Sequence, residues 1–240
     1  MPEILKHRNS NIETDLFKEM FNIYDLNKFT SVYLLSGIDF NSKSLFAGLS
    51  EDLLNKEKLV FIASTPDDYE KCDKHFKEFK TFFKKFKIKD MVLIDKRVTK
   101  YASIKHIETS DVIFLTGGNP ITQMEFIKEY EIDTLIEGFR GVIIGLSAGS
   151  INLGKEAYCS KDEDFPETIT YPGLGVVDIT IDPHFEPNNK VQKSEFLKSN
   201  LNIIGLPESS FIKVDKYGMQ RVFGEYYIKE HKKVIKKLDQ

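Results

Sequence analysis

The sequence predicts an α/β fold, a three-layer, doubly wound and mostly parallel sheet. Five apolar runs of about five residues, 31–36, 59–63, 90–95, 111–115 and 142–144, read as strands. The last is apolar on both faces, as a strand buried between two layers must be. Helical segments lie between the runs and have room for right-handed crossovers. The 240 residues are 41% hydrophobic and 30% charged, an ordinary composition for a soluble chain. No repeat or linker divides them, so 1–240 is read as one domain.

Taken in order, 1–30 is a polar start and then a helical extension, with Ile12, Leu16, Phe17, Met20 and Phe21 at helical spacing. Strand 31–36 is closed by Gly37; a helix over 42–55 and strand 59–63 follow. Thr65 and Pro66 open a helix over 67–87. Its Phe76, Phe79, Phe82, Phe83 and Phe86 form one aromatic face, and lysines supply much of the other. That is an amphipathic helix packed on a sheet, its lysine stems lying along the surface. Strand 90–95, a short helix near 101–107 and strand 111–115 lead to Thr116-Gly117-Gly118-Asn119-Pro120. There Asn119 caps the next helix and Pro120 fits its first turn. A second short helix over 132–139 precedes the central strand.

Beyond that strand the reading is a helix at 148–154, a polar stretch at 160–167, strand character over 174–181, a helix at 190–199 and a strand at 202–206. The end is a small antiparallel extension: 211–214, a Lys216-Tyr217-Gly218 turn, 221–223 and 226–228. The basic stretch 229–237 reads as a solvated terminus.

The formal net charge of −3 argues against a strongly electrostatic nucleic-acid binder. No stretch approaches a membrane span, and no signal-peptide core is visible near the start. Two cysteines, Cys72 and Cys159, make no disulfide framework, which points to a reducing, cytoplasmic setting. No metal-ligand spacing, phosphate loop or dinucleotide fingerprint is present, so no metal or cofactor is expected.

The chemistry centres on Gly145-Leu146-Ser147-Ala148-Gly149, a G-x-S-x-G directly after the central strand. Small residues there let a strand turn sharply into a helix and leave the serine clear of its neighbours. An ordinary turn of small residues would look similar, so the serine needs partners. Of five histidines, His184 follows a strand and stands in a Pro-His-Phe turn, which makes it the best base. Asp162, Glu163, Asp164, Asp182 and Glu208 all fall in expected loops, and residue physics does not choose among them as the orienting acid. The Ala148 N–H follows the nucleophile, and Gly118 ends a neighbouring strand, where its backbone can approach closely. Gly117 and Asn119 flank it.

Four motifs in this order resemble peptidase family S51, the serine peptidases that include aspartyl dipeptidase (peptidase E) and cyanophycinase. They are Phe114-Leu115-Thr116-Gly117-Gly118-Asn119, Gly145-Leu146-Ser147-Ala148-Gly149-Ser150, Asp182-Pro183-His184-Phe185 and Leu206-Pro207-Glu208. The resemblance covers about 31–215 and implies a fold like class I glutamine amidotransferase domains, with serine in place of cysteine. It implies Ser147 as nucleophile, His184 as base, and Gly118 and Ala148 as oxyanion donors. Asp164, before Phe165-Pro166, best matches the context of the family's acid; Asp162 and Glu208 are the alternatives. Leu146, Ser150 and Ile151 depart from the peptidase E pattern.

The expected function is hydrolysis of small peptides, as in a dipeptidase acting on acidic N-terminal residues. Arg140 and Arg221 are candidates for reading a substrate carboxylate. An esterase or amidase, or a non-catalytic binding protein, are the alternatives. The expected partner is a small peptide, not nucleic acid or membrane, and the resemblance admits both monomer and homodimer.

Overall fold

The computed structural model describes residues 31–162 and 165–238. The helical extension expected within 1–30 lies outside the described residues, as do Glu163 and Asp164. The parallel core is β1 (Ser31–Leu35), β2 (Lys58–Ile62), β3 (Asp90–Ile94), β4 (Val112–Leu115) and β5 (Val142–Leu146). Two antiparallel strands, β10 (Phe211–Asp215) and β11 (Gln220–Phe223), extend it to the order β11-β10-β1-β5-β4-β2-β3. The strand carrying the serine motif is therefore in the middle.

Strand side chains alternate between faces, and here both faces are covered. Val32, Leu34, Val60, Ile62, Ile113, Leu115 and Ile143 enter one core; Tyr33, Leu35, Leu59, Phe61, Phe114, Ile144 and Leu146 enter the other. On the second face lie helices α1 (Lys43–Asp52) and α2 (Tyr69–Phe83). Phe79, Phe82, Phe83 and Phe86 are buried, with Phe83 edge-on to Phe61 and Phe114. Lys80 and Lys85 reach back over the Phe76 and Phe82 rings. On the first face lie α3 (Lys100–Glu108), α4 (Pro120–Glu129), α5 (Asp133–Glu137) and α6 (Ala148–Leu153). Asn119 accepts from the Ile121 and Thr122 N–H groups, each at 3.0 Å, and so caps α4 as its sequence suggests.

Four features differ from the sequence reading. Helix α2 opens at Tyr69, with the Asp68 carboxylate accepting from the Lys71 N–H at 3.1 Å, and not at Thr65-Pro66. A hairpin of β6 (Glu156–Cys159) and β7 (Ile169–Pro172) brackets the polar stretch. The strand expected over 174–181 is β8 (Thr180–Pro183), with 174–179 running ahead of it as mostly buried chain that bridges Gly154 once, through Val177. The basic tail is not a solvated terminus: β13 (Lys233–Leu238) pairs with β12 (Glu225–Glu230) along its whole length. Ile228 faces Ile235 across that hairpin, Lys233 is exposed, and Lys236 and Lys237 pair with Glu225 and Glu230. These strands join β9 (Ile203–Leu206) and β8 in a second sheet, ordered β13-β12-β9-β8 and packed on α7 (Lys190–Lys198) through Phe185, Phe196 and Tyr227.

Candidate active site

Strand β5 ends at Leu146 and α6 starts at Ala148, so Ser147 alone makes the turn. Its φ of 47° and ψ of −103° are costly for an L-residue. The surroundings impose them. The Ser147 N–H donates to the Leu35 carbonyl at 2.8 Å, and its carbonyl accepts from the Ile151 N–H at 3.0 Å. The motif glycines are required by contact: a Cβ at Gly145 would lie 2.6 Å from the Ser150 nitrogen, and one at Gly149 2.3 Å from the Leu115 carbonyl oxygen. The helix can thus begin directly against β4 and β5.

The histidine and glutamate that approach Ser147 come from the second sheet. Strands β8 and β9 run parallel, with Asp182 opposite Gly205 and Pro183 opposite Leu206. His184 and Glu208 emerge just beyond those paired ends. Ser36, one residue past β1, ties the sheets together. Its hydroxyl donates to the Leu206 carbonyl and accepts from the His184 N–H, both at 2.8 Å. The Gly37 N–H donates to the Glu208 carbonyl at 2.9 Å. A Cβ on Gly37 would stand 2.0 Å from Glu208 Oε1, so this position must stay bare. The outcome is a chain of three side chains: His184 Nε2 is 2.8 Å from Ser147 Oγ, and His184 Nδ1 meets Glu208 Oε2.

These groups open on a cleft of about 600 Å³, within the range of small-molecule sites. Gly117, Gly118 and Ala148 line it beside Ser147. Gly118 has φ 138°, which glycine adopts freely. Neither its N–H nor that of Ala148 donates to another group among the described residues. A nucleophile, a base oriented by a carboxylate, and two uncommitted donors are the parts that acyl transfer needs.

The profile of peptidase family S51 matches residues 33–222. The chain belongs to peptidase family S51. It is accordingly a hydrolase and a serine peptidase. Its fold resembles that of a peptidase from an acI-B1 Actinobacterium: TM-score 0.63, 13% identity, 89% of this chain and 96% of that one covered. It also resembles a putative peptidase E protein from Listeria monocytogenes EGD-e: TM-score 0.59, 18% identity, 88% and 99% covered. No curated protein sequence matches it.

Within this S51 peptidase the sequence-named acids have different fates. Glu208 is against the imidazole. Asp162 lines the cleft, but its carboxylate accepts from the Phe165 N–H at 2.8 Å, closing a tight turn. Asp164 lies outside the described residues. Asp182, expected in a loop, is inside β8 and 2% exposed. Asn119 caps α4 and does not line the cleft. Arg140 borders a different groove with Lys56 and Asp111, and the Arg221 guanidinium lies 4.8 Å from the Phe223 ring centroid; neither lines this cleft.

The supporting residues of the S51 site were not visible in the sequence. Ser64 Oγ donates to the Gly117 carbonyl at 2.5 Å and steadies the glycine loop. Behind it, Asn152 Nδ2 on α6 donates to the Pro120 carbonyl at 2.9 Å and to Gln123 Oε1 at 3.1 Å. Gln123 Nε2 donates to the Ile62 and Thr116 carbonyls at 3.2 and 3.1 Å, and the Tyr171 hydroxyl donates to Asn152 Oδ1 at 2.8 Å. This buried network fixes the glycine loop to the helix that follows the serine. Ser36 and Ser64 look like ordinary strand-end residues; only Gln123 and Asn152, polar at apolar helical positions, carried any signal.

Proposed function

We propose that this serine peptidase hydrolyses small peptides with Ser147 as nucleophile, His184 as general base and Glu208 as the group that orients it. The hydrogen-bonded line from Ser147 through His184 to Glu208 carries the proposal. Ser147 Oγ attacks the scissile carbonyl carbon as its proton passes to His184 Nε2. Glu208 holds the ring so that Nε2 faces the serine, and stabilises the imidazolium. The Gly118 and Ala148 N–H groups receive the oxyanion. His184 returns the proton to the departing amine, leaving an acyl-serine. Water, deprotonated by His184, then attacks that ester, and the released acid leaves Ser147 restored.

The test pairs a fluorophosphonate label with peptide hydrolysis. The parent should label at Ser147, and Ser147→Ala should neither label nor cleave. Glu208→Gln should keep the label site but lose about 10²–10⁴ in kcat. A Ser147→Ala variant that cleaves as fast as the parent refutes the assignment.

A further inference from the structure

The cleft has a polar patch that these steps do not use. One Asp182 oxygen, Oδ1, accepts from Ser160 Oγ at 2.9 Å and lies 3.5 Å from Gln192 Nε2. The other, Oδ2, is buried with no partner among the described residues, and so is the Tyr158 hydroxyl. Asp182, Ser160, Gln192 and Tyr158 all line the same cleft as Ser147. A buried carboxylate oxygen without a donor is costly, and its place beside a nucleophile points to a ligand that supplies the donor. Burial pushes the Asp182 carboxyl up to about 7, so it still carries substantial charge near neutrality. The rest of the described lining is mostly of the same sign: Asp162, Glu186 and Glu208 outnumber Lys161, and it includes no arginine.

Building on the peptidase reading, we propose that Asp182, Ser160, Gln192 and Tyr158 form a subsite for an ammonium group of the bound peptide, and that an acidic first residue is disfavoured. A primary ammonium brings three donors and no acceptor. Asp182 Oδ2 accepts one. Ser160 has given its own hydrogen to Asp182, so its oxygen accepts another, and the Tyr158 oxygen is a third acceptor. The ammonium belongs either to the peptide N-terminus or to a lysine side chain; both share this chemistry. Carboxylates around the cleft repel an aspartate side chain in the same place.

Binding isolates the subsite from catalysis. Ser147→Ala is titrated calorimetrically with Ala-Ala-Ala, Lys-Ala-Ala, Asp-Ala-Ala and the N-acetyl forms of the first two. Acetylating Ala-Ala-Ala should weaken binding about tenfold or more, and Asp-Ala-Ala should bind more weakly than Ala-Ala-Ala. If N-acetyl-Lys-Ala-Ala keeps its affinity, the side-chain ammonium fills the subsite; if it loses it, the N-terminus does. Adding Asp182→Asn or Ser160→Ala should erase the preference, with folding verified by circular dichroism. No measurable binding, equal affinity for Ala-Ala-Ala and its N-acetyl form with no tighter binding of either lysine peptide, or a preference surviving both substitutions overturns the subsite. Fluorophosphonate labelling of the parent at Ser147 tests the peptidase reading separately, since labelling without an ammonium preference removes only the subsite.

Discussion

Replacing Asp182 by asparagine should make the fold more stable, and by an amount that depends on pH. The carboxyl is 2% exposed and is held near 7 in the fold, chiefly by burial, against 3.8 for a free aspartate. The Ser160 and Gln192 hydrogen bonds and the Asp162 charge modify that value; Tyr158 and Cys159 face it from β6, and His184 follows on its own strand. Between about pH 4 and 7 the folded chain keeps a proton that the unfolded chain has released. Parent stability therefore falls as pH rises through this window, and the burial cost is complete above it. A gap of about three units is worth about 4 kcal/mol. Asp182→Asn keeps an oxygen for Ser160 and never charges. Its advantage over the parent should grow from nearly nothing at pH 4 to about 4 kcal/mol at pH 8. The chain has no tryptophan, so urea unfolding is best followed by far-UV circular dichroism at several pH values. A pH-independent difference, or a variant less stable than the parent at pH 8, would show that Asp182 is not the strained group described.

Two further substitutions probe the site and the core. Gly37→Ala places a methyl group 2.0 Å from Glu208 Oε1 and 2.7 Å from the Glu208 carbonyl oxygen, so rotating the side chain alone does not relieve it. It should lower kcat by about tenfold or more, through loss of the imidazole's partner, while far-UV circular dichroism stays unchanged; parent-like turnover would contradict this. Phe83→Ala removes a fully buried ring from between Phe61, Phe86 and Phe114. It should cost about 3–5 kcal/mol in urea unfolding with little effect on peptide affinity, and a loss under about 1 kcal/mol would mean the aromatic face is not the main anchor of α2.

The parallel core was legible because its physics is local. Runs such as 59–63 and 112–115 are apolar at every position and too short for a helix, the pattern of a strand covered on both faces. Asn119-Pro120 announced a helix start through capping chemistry that depends on neighbours in sequence. The hairpin at Glu156–Cys159 and Ile169–Pro172 and the terminal strand Lys233–Leu238 were hidden. In the latter, Lys-Val-Ile-Lys-Lys-Leu has no two-residue alternation, and only the pairing with β12 makes it a strand. The serine and histidine could be named from strand-end position and turn context. The carboxylate beside the imidazole could not be named from residues alone, because Glu208 reaches His184 only through the β8–β9 pairing, and no local pattern encodes that register.

That pairing has its own implication. Imidazole and carboxylate ride on adjacent rails of one ladder, so their spacing is set by that pairing and not by the length of the loop over 199–202 that leads into β9. A slip of one rung, about 3.3 Å, would part them outright. Insertions should therefore be tolerated in the loop over 199–202, outside the helix that carries Gln192 and Phe196, and deletions of a single residue within Ile203–Leu206 should silence the enzyme.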